Sequence, residues 1–181
     1  HSDVTFLGYI LFAVLGYLLG SIPTGYLVAR VRGIDIRTVG SKNMGATNVF
    51  RTLGKGPGIF VLLIDAFKGY AAVALALRFY PHWQEFLPQL FPAAGLTDES
   101  VRFGYGLVAG IAAVLGHNYT CWLNFKGGKG IATTGGVFLA LAPAAVGIAA
   151  ALWLGAFVAT RYVSIASILA AVALPAAVWF T

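Results

Sequence analysis

Apolar runs long enough to cross a membrane alternate along this chain with short polar stretches. The clear runs cover residues 4–29, 57–80, 103–124 and 163–181. A hydrocarbon core ~30 Å thick takes about 20 consecutive apolar residues to cross, and in lipid only a helix or a closed barrel satisfies its own backbone. Runs of this length predict transmembrane helices. Residues 131–160 admit two readings. As one span they would make roughly 45 Å of helix, more than a bilayer requires. Broken at Pro143, they would give helices over 129–142 and 143–160, about 21 and 27 Å long, which could enter and return on the same side.

Charge placement chooses between these readings. The stretch 30–56 carries Arg30, Arg32, Arg37, Lys42, Arg51 and Lys55 against the single acid Asp35, and the stretch 125–136 adds Lys126 and Lys129. The loop 81–102 instead carries Glu85, Asp98 and Glu99 against Arg102. Basic loops stay on the cytoplasmic side, so both polar stretches are expected there, with the 81–102 loop and the N-terminus outside. Arg161 would face outward if 131–160 were one span and the cytoplasm if it were a hairpin, which favours the hairpin. The expected fold is an all-α integral membrane protein: one domain over residues 1–181, a polytopic bundle of six transmembrane helices with a short hairpin around Pro143. Thr181 closes an apolar helix abruptly, and a seventh helix beyond it is expected.

Composition agrees. With 59% hydrophobic and 10% charged residues and a mean hydropathy of +0.84, the chain lies outside the range of soluble domains. The first run carries Gly20, Ser21 and Pro23 and has no cleavage pattern, so it reads as a retained helix and not as a signal peptide. The single cysteine, Cys121, cannot form an internal disulfide, and no Cys/His spacing matches a zinc site.

The candidate chemistry sits in the two cytoplasmic stretches. Residues 40–51 read Gly-Ser-Lys-Asn-Met-Gly-Ala-Thr-Asn-Val-Phe-Arg, and residues 125–130 read Phe-Lys-Gly-Gly-Lys-Gly. Gly40 and Gly45 can turn backbone N–H groups toward a ligand, Asn43, Thr47 and Asn48 add neutral donors, and Arg51 can grip a phosphate with two parallel bonds. Gly127, Gly128 and Gly130 surround Lys126 and Lys129 just before a predicted helix start, where backbone dipole and lysine together favour an anion. A solvated basic loop touching anionic headgroups would explain the lysines and arginines but not the dense glycines and paired asparagines. The second stretch is no Walker A loop, since Leu123 stands where the first glycine would be needed. Cytoplasmic carboxylates are too few for a two-metal clamp, and no spacing assembles a Ser-His-Asp triad. Trp122 follows His117 where a His-x4-Asp motif would need the acid. Catalysis would rest on positioning and charge neutralisation.

Beneath these stretches Ser21, Asp65 and His117 each lie about 12 Å in from the cytoplasmic helix ends, at 1.5 Å rise per residue. Ionisable groups in a membrane are costly and face a cavity or a partner, so a shared depth predicts a water-filled pocket open to the cytoplasm. Asp65 and Lys68, spaced i, i+3, could neutralise one another or touch substrate. His117 and Asn118 could serve as interhelical hydrogen-bond partners, and Ser21 could repair the backbone where Pro23 frees the Leu19 carbonyl. The pairs Gly16/Gly20 and Gly106/Gly110 read as helix-packing faces.

In order along the chain, Gly20-Ser21, the 40–51 segment, Asp65-Ala-Phe-Lys-Gly69, Gly116-His117, the 125–130 segment and Arg161-Tyr-Val-Ser-Ile-Ala-Ser167 resemble the bacterial acyl-phosphate-dependent glycerol-3-phosphate acyltransferases, the PlsY family. The resemblance implies a seven-helix protein of the bacterial inner membrane, N-terminus outside and active site facing the cytoplasm. It would move a fatty acyl group from acyl phosphate to the 1-hydroxyl of glycerol 3-phosphate, giving lysophosphatidic acid and phosphate, within membrane lipid. By motif position Ser41, Arg51, Lys129 and Ser167 would contact glycerol 3-phosphate. Thr47, Asn48 and the 125–133 segment, with Lys126, Gly127, Gly128, Gly130 and Thr133, would hold phosphoryl groups, with Ser164 in the last motif in support. It also implies no protein nucleophile, the donor's phosphate serving as base. No metal, cofactor, nucleic acid or obligate protein partner is expected. Two departures stand out. The family continues into a further helix and a tail with a His-Arg-x-Asn type motif, and Lys42 occupies a place where it often has a small residue.

The same basic pocket would suit a non-enzymatic transporter or channel for an organic phosphate. That alternative predicts an internal repeat and polar residues along a whole path; no repeat is visible, and the polar groups stop about 12 Å in.

Overall fold

A computed structural model describes residues 2–86 and 98–181. The chain divides into two compact units, the first reaching Val137 and the second covering Phe138–Thr181. The first holds α1 (Ser2–Ser21), α2 (Thr24–Arg30), α3 (Ala46–Leu53), α4 (Lys55–Phe86), α5 (Asp98–Asn118) and the opening turns of α6 (Ile131–Leu141). The second holds the end of α6, then α7 (Pro143–Thr160) packed on α8 (Val163–Phe180). Every regular element among the described residues is helical.

Three stretches are long and apolar enough to cross a membrane, Phe6–Arg30, Lys55–Tyr80 and Pro143–Thr160, with Ile131–Leu141 and Ser164–Phe180 as shorter apolar helices. On α4, Phe60, Leu63 and Phe67 are more than half exposed, a surface suited to lipid. The acidic loop expected at 81–102 falls largely on residues 87–97, outside the described residues.

The first apolar run is not one helix. Pro23 has no N–H to give, and the chain breaks into α1 and α2 at Ile22 and Pro23. The freed carbonyls are not served by Ser21, as the sequence led us to expect: Ser21 Oγ has no hydrogen-bond partner among the described residues. The Leu19 carbonyl instead receives the Ile22 N–H at 3.4 Å. Two other helical regions reach in. The Thr120 hydroxyl donates to the Ser21 carbonyl at 2.5 Å, and the Lys68 ammonium donates to the Ile22 carbonyl at 3.0 Å. The Ile22 carbonyl also accepts the Thr24 N–H at 3.0 Å, so backbone and side-chain donors together serve the carbonyls at the break, as a membrane surrounding favours.

The expected run 103–124 is also corrected. Helix α5 stops at Asn118, and Thr120 caps a single 3-10 turn, Cys121–Leu123. Asn124 and Phe125 then adopt left-handed backbone, φ 53° and 58°, which reverses the chain. The last carbonyls of α5 find partners beyond that reversal: Gly127 N–H donates to Asn118 O at 3.0 Å and Gly128 N–H to His117 O at 2.9 Å. The two-helix reading of 131–160 matches the observed division, with Ala142 between the helices at φ −144° and Pro143 opening α7.

Helix α1 meets α5 through Gly16 and Gly20, where any Cβ would overlap the carbonyls of Ala109 and Ala113. Nearby, the Tyr105 ring lies 4.6, 5.2 and 5.5 Å from those of Tyr9, Phe12 and Tyr80, tying α5 to α1 and α4. A second cluster of Ala29, Ile36, Met44, Val49, Val61 and Leu123 holds the 34–49 segment against the helices.

If Thr120 repairs the break, Thr120→Val should keep shape but orphan the Ser21 carbonyl, costing about 1–2 kcal/mol. Thermal unfolding of detergent-solubilised protein should show a lower Tm; an unchanged Tm would remove this role.

Candidate functional site

The polar segment 40–51, expected to be loop, is half helix. Its last part forms α3, with Gly45 at the N-cap and Arg51 in the last turn. The preceding loop is wound around Asn48, whose residue is 1% exposed. The Asn48 amide donates to the carbonyls of Asn43 at 2.8 Å, Val39 at 3.1 Å and Ile36 at 3.2 Å, while its Oδ1 accepts from the Ser41 N–H at 2.9 Å. Asn43 Oδ1 accepts from the Gly45 N–H at 2.8 Å. Asn48 was expected to offer its amide to a phosphate. That amide is spent holding the loop, so its part is positional.

Lys42 has φ 57°, in the left-handed region where a side chain costs roughly 1 kcal/mol and glycine costs nothing. This gives a physical reason for the small residue that the family resemblance led us to expect there.

Gly127 and Gly128 are corrected likewise. Their N–H groups cap α5 and do not face a ligand. Both positions require glycine, since a Cβ on Gly127 would overlap the His117 carbonyl and one on Gly128 would overlap His117 Nε2. Gly130, at φ 72°, turns the chain into α6.

These two folded segments face each other across a cavity of about 470 Å³, lined by Ser41, Asn43, Gly45, Ala46, Thr47, Asn48 and Arg51 from the first, and by Lys129, Gly130, Ile131 and Ala132 from the second. The N-termini of α3 and α6 therefore open onto one space, each with unpaired N–H groups and a positive dipole end. Leu62, Asp65 and His117 complete the lining. Asp65, Lys68 and His117 are 2–3% exposed. Asp65 Oδ1 stands 3.0 Å from Lys68 Nζ and 3.7 Å from His117 Nδ1, so Lys68 neutralises the carboxylate that would otherwise repel an anion. The spacing i, i+3 thus serves an ion pair, and Lys68 itself is outside the lining.

Arg51, Lys126 and Lys129, expected to hold phosphoryl groups, are sorted into two places. Arg51 and Lys129 line the cavity. Lys42 and Lys126 line a separate groove of about 370 Å³ with Asp35, Arg37, Thr38, Met44 and Gly127. There the Arg37 guanidinium binds Asp35 at 2.7 and 2.9 Å and, with the Arg37 N–H, lowers its pKa to about 2. Thr133, Asn118 and Ser21 are not on the cavity lining; Thr133 is fully buried, and each has a side-chain oxygen without a hydrogen-bond partner among the described residues. The expected interhelical bond of His117 and Asn118 is absent from these atoms, His117 Nδ1 and Asn118 Oδ1 being unpartnered. Ser164 and Ser167 belong to the second unit, where Ser167 Oγ accepts from Trp153 Nε1 at 3.1 Å.

Sequence reasoning missed Thr120 and the helix hidden in 46–53. The first had only a lone threonine as its signal. The second had one that could have been read: apolar Ala46, Val49, Phe50 and Leu53 recur at helical spacing.

The profile of the family described as glycerol-3-phosphate acyltransferase matches residues 10–181. A glycerol-3-phosphate acyltransferase from Synechococcus sp. strain JA-2-3B'a(2-13) is 49% identical over 173 residues, covering 94% of this chain and 76% of the relative. One from Geobacter sulfurreducens is 45% identical over 166 residues, covering 92% and 75%. Among solved structures, PlsY, an integral membrane glycerol 3-phosphate acyltransferase in its glycerol 3-phosphate form, superposes with a TM-score of 0.66 at 38% identity over 92% of this chain and 74% of that one. Its lysophosphatidic acid form gives 0.64 at 37%.

Asn48→Asp should test the loop clamp: a carboxylate cannot donate to three carbonyls, and leaving them unpaired should cost about 2–3 kcal/mol. Amide hydrogen exchange across residues 36–45 should accelerate at least about tenfold. Unchanged protection would contradict the clamp. At Lys42, replacement by Gly should be neutral or stabilising by up to about 1 kcal/mol, and replacement by Val destabilising.

Proposed function

This chain belongs to the glycerol-3-phosphate acyltransferase family, and we propose that it is the membrane enzyme that moves a fatty acyl group onto glycerol 3-phosphate, yielding lysophosphatidic acid. The observation that carries the reading is the convergence of two helix N-termini, Arg51 and Lys129 on one cavity within a chain of membrane-crossing helices. Such a site binds phosphate by charge and backbone N–H together. The solved relatives in glycerol 3-phosphate and lysophosphatidic acid forms fit acceptor and product.

The donor is acyl phosphate. Arg51, Lys129, Ser41 and Thr47 hold phosphoryl oxygens at the cavity, and the acyl chain lies in lipid. The acceptor hydroxyl attacks the acyl carbon, an ester C–O bond forms, the bond from acyl carbon to phosphate oxygen breaks, and the departing phosphate takes the hydroxyl proton. Phosphate leaves as its own base, so no protein nucleophile is needed, and the protein contributes alignment and charge neutralisation. The cavity faces the cytoplasm of the bacterial inner membrane, a placement supported by the cluster of basic residues around it.

Protein reconstituted in lipid with labelled glycerol 3-phosphate and acyl phosphate should release inorganic phosphate and lysophosphatidic acid in equal amounts. Turnover with acyl-CoA alone would replace the proposed donor, and no product with either would defeat the reading. Arg51→Ala and Lys129→Ala should each raise KM for glycerol 3-phosphate and lower kcat/KM on the order of 100-fold, whereas Lys55→Ala should change it less than about threefold. Unchanged kinetics in either of the first two would remove that residue from the site.

A further inference from the structure

Residues 41–45 alternate between two spaces. Ser41, Asn43 and Gly45 line the cavity, whereas Lys42 and Met44 line the separate groove of about 370 Å³. The cavity and the groove share no lining residue, so the groove is a second surface on the back of the same loop. Four charged side chains line it, Asp35, Arg37, Lys42 and Lys126. Asp35 and Arg37 neutralise one another at 2.7 Å. Neither the Lys42 nor the Lys126 ammonium has a hydrogen-bond or ion-pair partner among the described residues, so two positive charges there are uncompensated. Two like charges lining one groove repel each other, and an anion between them reverses the sign of that interaction.

Position selects the anion. The loop packs on the end of the membrane-crossing stretch Phe6–Arg30: a Cβ on Gly25 would overlap the Met44 carbonyl, and Ala29 and Met44 belong to one apolar cluster. Lys126 follows directly on a turn in which Tyr119, Trp122 and Phe125 are each more than half exposed. Exposed aromatic rings beside lysines at the end of a membrane-crossing helix match a bilayer interface, where the rings lie at headgroup level and ammonium groups meet lipid phosphates. A soluble acidic partner would answer the two charges but leave the three rings in water.

We propose that the groove between Lys42 and Lys126 binds the headgroup of an anionic phospholipid, with the lipid phosphate between the two ammonium groups and the rings of the 119–125 turn at the same interface. The occupant is a lipid of the surrounding bilayer, separate from any phosphate held at Arg51 and Lys129. The site stands whether or not the chain transfers an acyl group, because its residues are not those of the cavity.

The test titrates the full chain in dodecyl maltoside micelles with dioctanoyl phosphatidylglycerol, dioctanoyl phosphatidylcholine or inorganic phosphate, and reads an apparent Kd from the rise in Tm with ligand concentration. Wild type should bind phosphatidylglycerol at least about tenfold more tightly than phosphatidylcholine, and Lys42→Gly/Lys126→Gln should abolish that preference. Lys42→Gly alone, which relieves left-handed backbone and so keeps the fold, should reduce it about fivefold. Arg51→Ala should leave the lipid preference intact while weakening the response to inorganic phosphate, which separates groove from cavity. A preference that survives loss of both lysines overturns the proposal, as does one abolished by Arg51→Ala. Inorganic phosphate binding through the two lysines as tightly as phosphatidylglycerol would make the groove a site for free phosphate, and tighter binding there of a glutamate-rich peptide would make it a protein-docking surface; either result overturns the lipid assignment.

Discussion

The Lys68 ammonium is the contact on which the rest of the first unit depends. It sits on α4, buried, and reaches two groups that a membrane protein cannot leave alone: the Asp65 carboxylate at 3.0 Å and the Ile22 carbonyl at 3.0 Å, left without its usual helical partner by the break at Pro23. One charge therefore repairs a helix break and neutralises the cavity lining. An isolated carboxylate there would be expensive, and removing one partner of a buried pair strands the other at several kcal/mol. The Thr120 hydroxyl completes the repair from the turn after α5, so α1, α4 and the α5 end are joined around a single backbone defect.

That junction sets where the cavity can form. Helix α5 ends beside the defect, and its terminal carbonyls are capped by Gly127 and Gly128, which fixes the start of α6. The 34–49 segment is fixed independently by its apolar cluster and by the Asn48 amide, which fixes the start of α3. Neither helix N-terminus alone would define a site. The cavity arises because separately braced segments bring the starts of two helices to one space, with Arg51 and Lys129 on its lining.

The glycines and asparagines that advertise this site in the sequence mostly do not touch a ligand in the structure. Asn48 binds loop carbonyls, Gly127 and Gly128 cap a helix, and a side chain at either glycine would collide with His117. The two segments do line one cavity, but their glycines and asparagines mostly serve the chain itself, since residue types that can cradle phosphate are also those that build tight, self-bonded turns. Lys42 lies in the same segment, but its left-handed backbone and its groove with Lys126 set it apart from the cavity.

What the chain determined by itself were local and one-dimensional properties. Lengths of apolar run fixed membrane-crossing helices, and prolines mark the breaks at residues 23 and 143. The shared depth of Ser21, Asp65 and His117 read from helix rise does not hold for His117, which lies one residue from the end of α5 and meets Asp65 at 3.7 Å through packing. Only the tertiary structure decided which donors serve the broken backbone, which glycine N–H groups are consumed in caps, and which lysine joins Arg51. The donors that serve the broken backbone come from 46 and 99 positions away, Lys68 to Ile22 and Thr120 to Ser21, while the caps at Gly127 and Gly128 need the chain reversal after α5. Such pairings carry no sequence period, so they exist only once the helices are packed.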